Sequence, residues 1–358
     1  MPRTLVEHLR PSYMRQLLTQ GTGLVEIGEP LPGLPAAPEV VSAAVRRSVE
    51  AEMHAVMNQV AARFTLEAAA SDRMPMDLGV GFHQLRWSTD RLVASMLTNS
   101  GVVFNLQHAR TVDEYTLGHS VNVCVLSTLL GIALGYSPAE LQELAIGALL
   151  HDIGKIAIPP SILQKPGRLT PAEFRVVQTH TTIGWSILAG QRSIGETAPV
   201  VALQHHESWD GGGYPQDLAG EQIHPFSQVV AVADCFDAMS SDRVYHQAMA
   251  PAVAMHAILY GMPGKFRTDV LEALVHTVAP YPVGSVVEIT GGAQAVVTAV
   301  ERGQTYRPRV RLLSDRSGAR ELELSGEPDL TIVRTLRLPG PDRGDRLADE
   351  LTTSCSAE

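Results

Sequence analysis

The chain has 358 residues, a length that predicts roughly two domains of about 150 residues each. Hydrophobic residues make up 45% of it and charged residues 18%, proportions typical of a globular protein with a large core. The formal net charge of −10 excludes a general coat for DNA or RNA, because neutralising phosphates takes clustered lysine and arginine side chains. A small anionic ligand held by a few cations or metals is compatible with this charge. The chain also carries 13 histidines, and their positions decide what they do.

Cysteine content and hydropathy predict a cytoplasmic protein without a membrane span. Three scattered cysteines are too few for a disulfide framework and indicate free thiols in a reducing compartment. The first 20 residues lack the apolar core of a secretory signal peptide. The most apolar stretch, residues 121–135, contains polar residues and falls short of the ~18–20 apolar residues that a transmembrane helix needs.

The N-terminal part of the chain divides into a segment with a linker and a helical region. Four prolines in residues 28–38 indicate the linker, which ends an N-terminal segment assigned to residues 1–38. Residues 39–70 and 82–107 each predict a helix, which gives a helical region over 39–110. The long first helix either pairs with a second copy in a homodimer or packs against the next domain, and the sequence favours neither.

Helix-start signals in the middle of the chain predict an all-α domain over residues 111–280. Capping boxes, in which a Ser or Thr and a Glu three residues later satisfy each other's backbone groups, lie at 111–114, 137–140 and 170–173. The predicted helices cover 111–135, 137–151, 170–190, 199–206 and 226–240, and two more fill 251–279.

After Pro282 the pattern changes to short β-branched or apolar runs separated by glycine-containing turns, which predict strands. The runs lie at 286–290, 295–300, 310–313, 321–324 and 330–333. They indicate a small antiparallel barrel or sheet of about five strands over 281–337, and residues 338–358 are expected to form a flexible tail. The fold class is therefore mainly α: a helical bundle preceded by a helical N-terminal region and followed by a small antiparallel β module.

Five of the histidines and two aspartates lie on or at the ends of the predicted helices of the central domain. They are His119, His151, Asp152, His180, His205, His206 and Asp234. A helical bundle can point side chains from facing helices into one core, and buried imidazoles and carboxylates are costly unless they are paired or bind a metal. Imidazole and carboxylate ligands together suit Fe, Mn, Zn, Ni or Co rather than Ca or Mg. The pattern therefore predicts a metal site.

The motifs around these residues match a known family. One reads His151-Asp152-Ile153-Gly154-Lys155, and another reads His205-His206-Glu207 followed by Asp210 and Gly213-Tyr214-Pro215. With the flanking segments around His119, His180 and Asp234, they resemble the signature of the HD-GYP phosphodiesterases in order and spacing. The resemblance covers residues 111–280, about half of the chain.

The resemblance implies hydrolysis of cyclic di-GMP to linear pGpG, or onward to GMP, at a cluster of Fe or Mn ions. By position, His119, His151, Asp152 and Asp234 would hold one metal, and Asp152, His180, His205 and His206 the other, with Asp152 bridging. Two cations about 3.5–4 Å apart clamp a phosphodiester and acidify a bridging water. The resulting hydroxide would attack phosphorus in line with the 3′-oxygen.

The resemblance also suggests roles around the metals, each with a plainer alternative. Lys155 would be catalytic and contact the phosphate, or be a surface cation. Arg243 would bind a substrate phosphate, or form an ordinary salt bridge. Gly213, Tyr214 and Pro215 would line the substrate pocket and meet partner signalling proteins, or simply connect two helices. Glu207 and Asp210 would orient the ligand imidazoles, whereas Asp237 is interpreted as structural.

Two positions depart from the family pattern. Some members have a glutamate four residues before the first histidine that supports a third metal, and this chain has Tyr115 there, which predicts a two-metal site. The family usually has basic residues after the tyrosine at 245, whereas this chain has His246 and Gln247, so one substrate cation is missing. Two alternatives to the phosphodiesterase stay open: a non-catalytic receptor for cyclic di-GMP or a protein, and a hydrolase of another cyclic dinucleotide.

Overall fold

The structure is a computed structural model that describes residues 26–28, 39–68, 81–98, 115–165, 167–241, 249–314 and 321–339. Its first two helices are α1 (Ala43–Ala68) and α2 (His83–Thr98), within the region where the sequence predicts helices. Val49, Met53, Val56 and Val60 recur at helical spacing along α1 and are buried in the main hydrophobic core. Of the two roles left open for this helix, packing against the next domain is therefore the one observed.

The central domain is a bundle of helices, as the sequence predicts. In chain order these helices are α3 (Tyr115–Ala133), α4 (Pro138–Leu150), α5 (Pro160–Leu163), α6 (Pro171–Gln178), α7 (His180–Leu188), α8 (Thr197–Gln204), α9 (Pro225–Ser240), α10 (Pro251–His256) and α11 (Thr268–Thr277). The predicted capping boxes at Ser137 and Thr170 are present, whereas the one at 111–114 lies outside the described residues. Among the described helices, none is both long and apolar enough to span a bilayer.

One predicted helix, over 170–190, is wrong as a single element, because α6 ends at Gln178 and α7 begins at His180. At this break, side chains compete for the backbone carbonyls. The Thr179 hydroxyl donates to the Val176 carbonyl at 2.7 Å, and His180 Nδ1 lies 2.6 Å from the Val177 carbonyl. The side chain of His180, the first residue after the break, is fully buried in the domain core.

The β module is one mainly antiparallel sheet. Its strands are β1 (Glu26–Gly28), β2 (Val286–Ile289), β3 (Gln294–Ala299), β4 (Arg309–Leu312), β5 (Glu321–Glu323) and β6 (Ile332–Pro339), in the order β1-β6-β2-β3-β4-β5. The five C-terminal strands were predicted, and β6 runs past 337. The sequence gives no signal for β1, which comes from the N-terminal segment and pairs in parallel with β6. Tyr281 and Ala252 join the hydrophobic core of this module, so it packs against α10.

Candidate metal centre

Five helices of the bundle deliver the seven predicted ligands to one place. His119 comes from α3, His151 and Asp152 from the end of α4, His180 from the start of α7, His205 and His206 from the end of α8, and Asp234 from α9. The approach depends on Gly154, because a Cβ atom there would lie 2.0 Å from the His180 carbonyl oxygen. The glycine of the first motif therefore allows the loop carrying Asp152 to touch α7.

The ligand atoms form two groups that could each hold a metal ion. In the Asp234 group, the ligand atoms of His119, His151 and Asp234 lie within 4.8 Å of one another. In the His180 group, those of His180, His205 and His206 lie equally close together with Asp152.

Asp152 lies between the two groups and directs one carboxylate oxygen to each. Its Oδ2 is 3.2 Å from His151 Nε2 and 3.7 Å from His119 Nε2. Its Oδ1 is 3.3 Å from His180 Nε2 and 3.7 Å from His205 Nε2. The carboxylate therefore has the placement of a bridging ligand.

Backbone carbonyls of the preceding helical turn fix three of the imidazoles. The Nδ1 atoms of His151 and His180 lie 2.7 and 2.6 Å from the carbonyls of Ala148 and Val177. His205 Nδ1 lies 3.0 Å from the carbonyl of Ala202. An imidazole that donates from Nδ1 presents the lone pair of Nε2, so these three rings aim acceptors into the cluster.

A carboxylate fixes His119 instead. Its Nδ1 lies 2.7 Å from Asp237 Oδ2, and its Nε2 lies 3.1 Å from Asp234 Oδ1. Burial opposes protonation of His119, but the hydrogen bonds to Asp234 and Asp237 outweigh it and raise its pKa to about 9. The interpretation of Asp237 as merely structural is incomplete, because it orients a candidate ligand. Its position three residues after Asp234, on the same face of α9, was the available signal.

Burial and charge set the protonation states of the other group. Burial lowers the pKa of His180 to about 4 and holds that of His206 well below its ordinary value, so both rings are neutral at pH 7. Burial by itself raises the pKa of Asp152, but His151 and Lys155 outweigh it and hold the pKa well below the ordinary value. Neutral imidazoles beside an ionised carboxylate are the protonation states that metal ions require.

The buried polar atoms of the cluster fit a metal. His151 Nε2 and Asp152 Oδ1 are buried and have no hydrogen-bond partner among the described residues. The Nε2 atoms of His180 and His205 face each other at 3.3 Å, although the Nδ1 of each ring is directed at a backbone carbonyl. Lone pairs gathered in this way are costly without a cation between them. The buried cluster is therefore suited to bind a metal ion.

The remaining predicted site residues lie in different places. Lys155 is part of the short 3₁₀ helix Ile153–Ala157, and its Nζ contacts Asp152 Oδ2. Tyr214 stacks on His206, with ring centroids 4.8 Å apart. Arg243 lies outside the described residues, as do His246 and Gln247.

Glu207 and Asp210 hold the glycine-rich turn (residues 210–215) rather than an imidazole. Glu207 accepts hydrogen bonds from the backbone N–H groups of Gln216 and Leu218 at 2.7 and 3.0 Å. Asp210 accepts from the Ser208 hydroxyl at 2.7 Å and forms an ion pair with Lys265. Contrary to the orienting role predicted for these two carboxylates, no imidazole is among their hydrogen-bond partners in the described residues. They shape the turn instead, Glu207 through loop N–H groups and Asp210 through Ser208 and Lys265.

Gly213, Tyr214 and Pro215 of the glycine-rich turn lie beside the metal centre. A Cβ atom on Gly213 would lie 2.3 Å from the Ser208 backbone nitrogen, so only glycine fits where the turn folds back on Glu207. Gly213 and Tyr214 line the cavity beside the metal centre, and Pro215 is half-buried next to them.

An open cavity of about 680 Å³ adjoins the cluster at His205, His206 and Asp234. Its wall includes two residues that the sequence analysis did not select, Phe174 and Lys265. Phe174 packs edge-on against Tyr214, with ring centroids 6.0 Å apart. Lys265 Nζ lies 3.0 Å from Asp210 Oδ2, and both side chains are about 40% exposed. The cavity thus combines aromatic faces, a cation and the metal ligands.

Comparison with known families agrees with this site. The sequence model of the HD domain family matches residues 91–269, half of the chain. The chain therefore belongs to the HD domain family. Its particular motifs are those of the HD-GYP group, so the resemblance drawn from the sequence is confirmed.

Three relatives illustrate the range of similar proteins. A cyclic di-GMP phosphodiesterase of Pseudomonas aeruginosa is 38% identical over 223 residues, which cover 62% of this chain and 54% of that protein. A cyclic di-GMP phosphodiesterase of Thermotoga maritima is 42% identical over 165 residues, covering 46% of this chain and 45% of that protein. A 3′3′-cGAMP-specific phosphodiesterase of Vibrio cholerae is 42% identical over 137 residues, covering 38% and 30%. The chain spans about half the length, or less, of these curated relatives.

Proposed function

We propose that the protein is a metal-dependent phosphodiesterase that hydrolyses cyclic di-GMP to linear pGpG. The observation that carries this proposal is the Asp152 carboxylate, which faces one group of imidazoles with each oxygen. A carboxylate placed in this way is suited to two metal ions, one in the Asp234 group and one in the His180 group. Imidazole and carboxylate ligands together suit Fe, Mn, Zn, Ni or Co, and the resemblance to the HD-GYP phosphodiesterases favours Fe or Mn among these.

Two bound cations supply positive charge to a phosphodiester and acidity to a water molecule. The side chains of the chain itself prepare the rest of the reaction. Lys155 Nζ lies against Asp152, at the edge of the cluster, where it balances negative charge that develops on a phosphate. Arg243 stays a proposed phosphate contact, because it belongs to the same sequence motif as Asp234.

The cavity provides groups that suit a cyclic dinucleotide. Tyr214 and Phe174 offer aromatic faces on which a purine can stack, an interaction worth about 1–3 kcal/mol per base. Lys265 offers a cation on the wall of the cavity and contributes positive charge that the residues after Tyr245 lack. Its partner Asp210 has a pKa lowered to about 2 by Ser208 and Lys265, so the ion pair persists at neutral pH.

A second candidate substrate is 3′3′-cGAMP, in which adenine replaces one guanine. It is supported by the Vibrio cholerae relative, which is as identical to this chain as the Thermotoga maritima cyclic di-GMP phosphodiesterase is. Both substrates share the phosphodiester that the metal centre would cleave. The discriminating contacts are therefore those that the cavity makes with the base edges.

The test is a time course with metal-loaded protein, purified without oxygen, on cyclic di-GMP and on 3′3′-cGAMP in parallel. We expect pGpG to accumulate from cyclic di-GMP, with any GMP appearing later. Faster cleavage of 3′3′-cGAMP would select the second candidate. Binding of cyclic di-GMP without cleavage, in protein that carries two metals, would contradict the proposal and favour a receptor.

Three further assignments remain proposals. Among the described residues, Cys124 and Cys235 form no disulfide, which supports a cytoplasmic location. The exposed part of the glycine-rich turn, at Gly212, is where a signalling partner would make contact. A homodimer through the N-terminal helices would use the face of α1 that points away from the core.

A further inference from the structure

We propose that Arg46 of helix α1 is a positioning residue for the metal centre, acting on His119 through Asn122 and Asp237. This inference rests on the proposed two-ion site but concerns a part of the chain outside the HD domain match at residues 91–269. It would give the N-terminal region a direct influence on one of the two metal groups.

The contacts form a continuous path of hydrogen bonds. An Arg46 guanidinium nitrogen donates to Asn122 Oδ1, and Asn122 Nδ2 donates to Asp237 Oδ1 at 2.9 Å. The other oxygen of Asp237 accepts from His119 Nδ1 at 2.7 Å. Asn122 and Asp237 are buried, and Arg46 is only 12% exposed. Water therefore competes weakly with each link, and the electrostatic interactions are strong.

The two hydrogen bonds that link Arg46 to Asp237 donate in the same direction, from Arg46 towards Asp237, because Arg46 offers donors and Asp237 offers acceptors. Arg46 has only donors, and ionised Asp237 has only acceptors. A single orientation of the Asn122 amide satisfies both, with its oxygen towards Arg46 and its nitrogen towards Asp237. The reversed amide would place a nitrogen against the guanidinium and an oxygen against the carboxylate. Arg46 therefore fixes the amide that helps to hold Asp237 in place.

Asp237 in turn determines the tautomer and the orientation of the His119 ring. By accepting from Nδ1 it selects the tautomer in which Nε2 carries a lone pair that can bind a metal, and it fixes the plane of the ring. For the imidazoles of His151, His180 and His205, backbone carbonyls three or four residues earlier in the chain select the tautomer and fix the ring plane. The hydrogen-bond path from Arg46 therefore ends at His119 and includes no imidazole of the His180 group.

The experiment measures Mn²⁺ affinity in two backgrounds that each keep one group. His180→Ala keeps the Asp234 group, and His119→Ala keeps the His180 group. Metal-free protein is titrated with Mn²⁺ under nitrogen, and free Mn²⁺ is measured by electron paramagnetic resonance. We expect Arg46→Met to raise the Kd about threefold to tenfold in the His180→Ala background, somewhat less than groups that contact a ligand directly. In the His119→Ala background we expect no change.

The controls separate positioning from general damage. Arg47→Met, on the exposed neighbour, should change neither Kd. In an Asn122→Ala protein, Arg46→Met should have no further effect, because the path is already cut. Arg46→Gln keeps a donor for Asn122 and should restore part of the affinity. If Arg46→Met does not fold, Asn122→Ala by itself cuts the path and should raise the Kd in the His180→Ala background only.

The positioning role would be overturned if Arg46→Met weakened Mn²⁺ binding equally in both backgrounds. It would also be overturned if the effects of Arg46→Met and Asn122→Ala on the Kd were additive. If the otherwise unchanged protein takes up a single Mn²⁺, the two-ion proposal fails separately. In that case, the Kd of the single bound Mn²⁺ is compared with and without Arg46→Met, and an unchanged Kd overturns the role of Arg46.

Discussion

The two groups of the metal centre are built from similar residues but are held in different ways. In the His180 group, His180 and His205 are fixed by carbonyls of their own helices. In the Asp234 group, His151 is also fixed by a carbonyl of its own helix, but His119 is fixed by Asp237, more than 100 residues away in the chain, and Asp237 is linked through Asn122 to the N-terminal helix. Local support makes a ligand independent of the rest of the fold, whereas long-range support exposes it to movements elsewhere. The first arrangement suits a permanent site and the second an adjustable one.

Asp152 is the residue that both groups share, so changing it should have the largest effect. Asp152→Asn removes the negative charge between the groups while keeping the size of the side chain. We expect loss of both metals and a fall in phosphodiesterase activity of about 10³-fold, measured by metal analysis and product formation. Asp217→Asn is the matched control, because Asp217 is exposed and its positive φ of 54° is tolerated by asparagine. Retention of both metals in Asp152→Asn would show that the groups do not share a ligand.

Single histidine substitutions should separate the two groups. His119→Ala and His180→Ala each remove one imidazole from one group and leave the other group intact. We expect each variant to keep about one metal ion per chain and to lose most of its activity, because the reaction uses both ions. Metal analysis on protein loaded without oxygen measures the count. Loss of both ions from either variant would mean that the groups form a single cooperative site.

Lys265 is outside both groups, and changing it should have the smallest effect. Lys265→Met keeps the length of the side chain and removes the cation from the wall of the cavity. Because Lys265 is 41% exposed and its charge is screened by solvent, we expect KM for cyclic di-GMP to rise only about fivefold, with kcat and metal content nearly unchanged. Lys165→Met is the matched control, since Lys165 also pairs with a carboxylate, Glu173, but does not line the cavity. An equal rise in both variants would exclude a specific role.

The helices and the ligand set were accessible from the sequence because their signals are local. The boxes at Ser137 and Thr170 mark helix starts within four residues, and the motifs around His151 and His205 lie in short segments. What the sequence missed depends on distant pairing. Strand β1 has three residues and exists through its pairing with β6, some 310 positions later.

Lys265 and Arg46 were missed for the same physical reason. The side chain of Lys265 contacts Asp210, 55 positions away, and that of Arg46 contacts Asn122, 76 positions away. No periodicity or spacing rule relates such residues, because only the packing of the helices brings them together. Asp237 is the intermediate case: its spacing from Asp234 was visible, but its partner His119 on α3 was not.

The most direct test of the two-group centre is anomalous X-ray diffraction at the Mn edge from crystals of the protein loaded with Mn²⁺. We predict two anomalous peaks about 3.5–4 Å apart, one within reach of His119, His151 and Asp234, and the other within reach of His180, His205 and His206. Asp152 should lie between them, with one oxygen directed to each. A single peak, or a second peak bound by other residues, would contradict the assignment of two ions to these two groups.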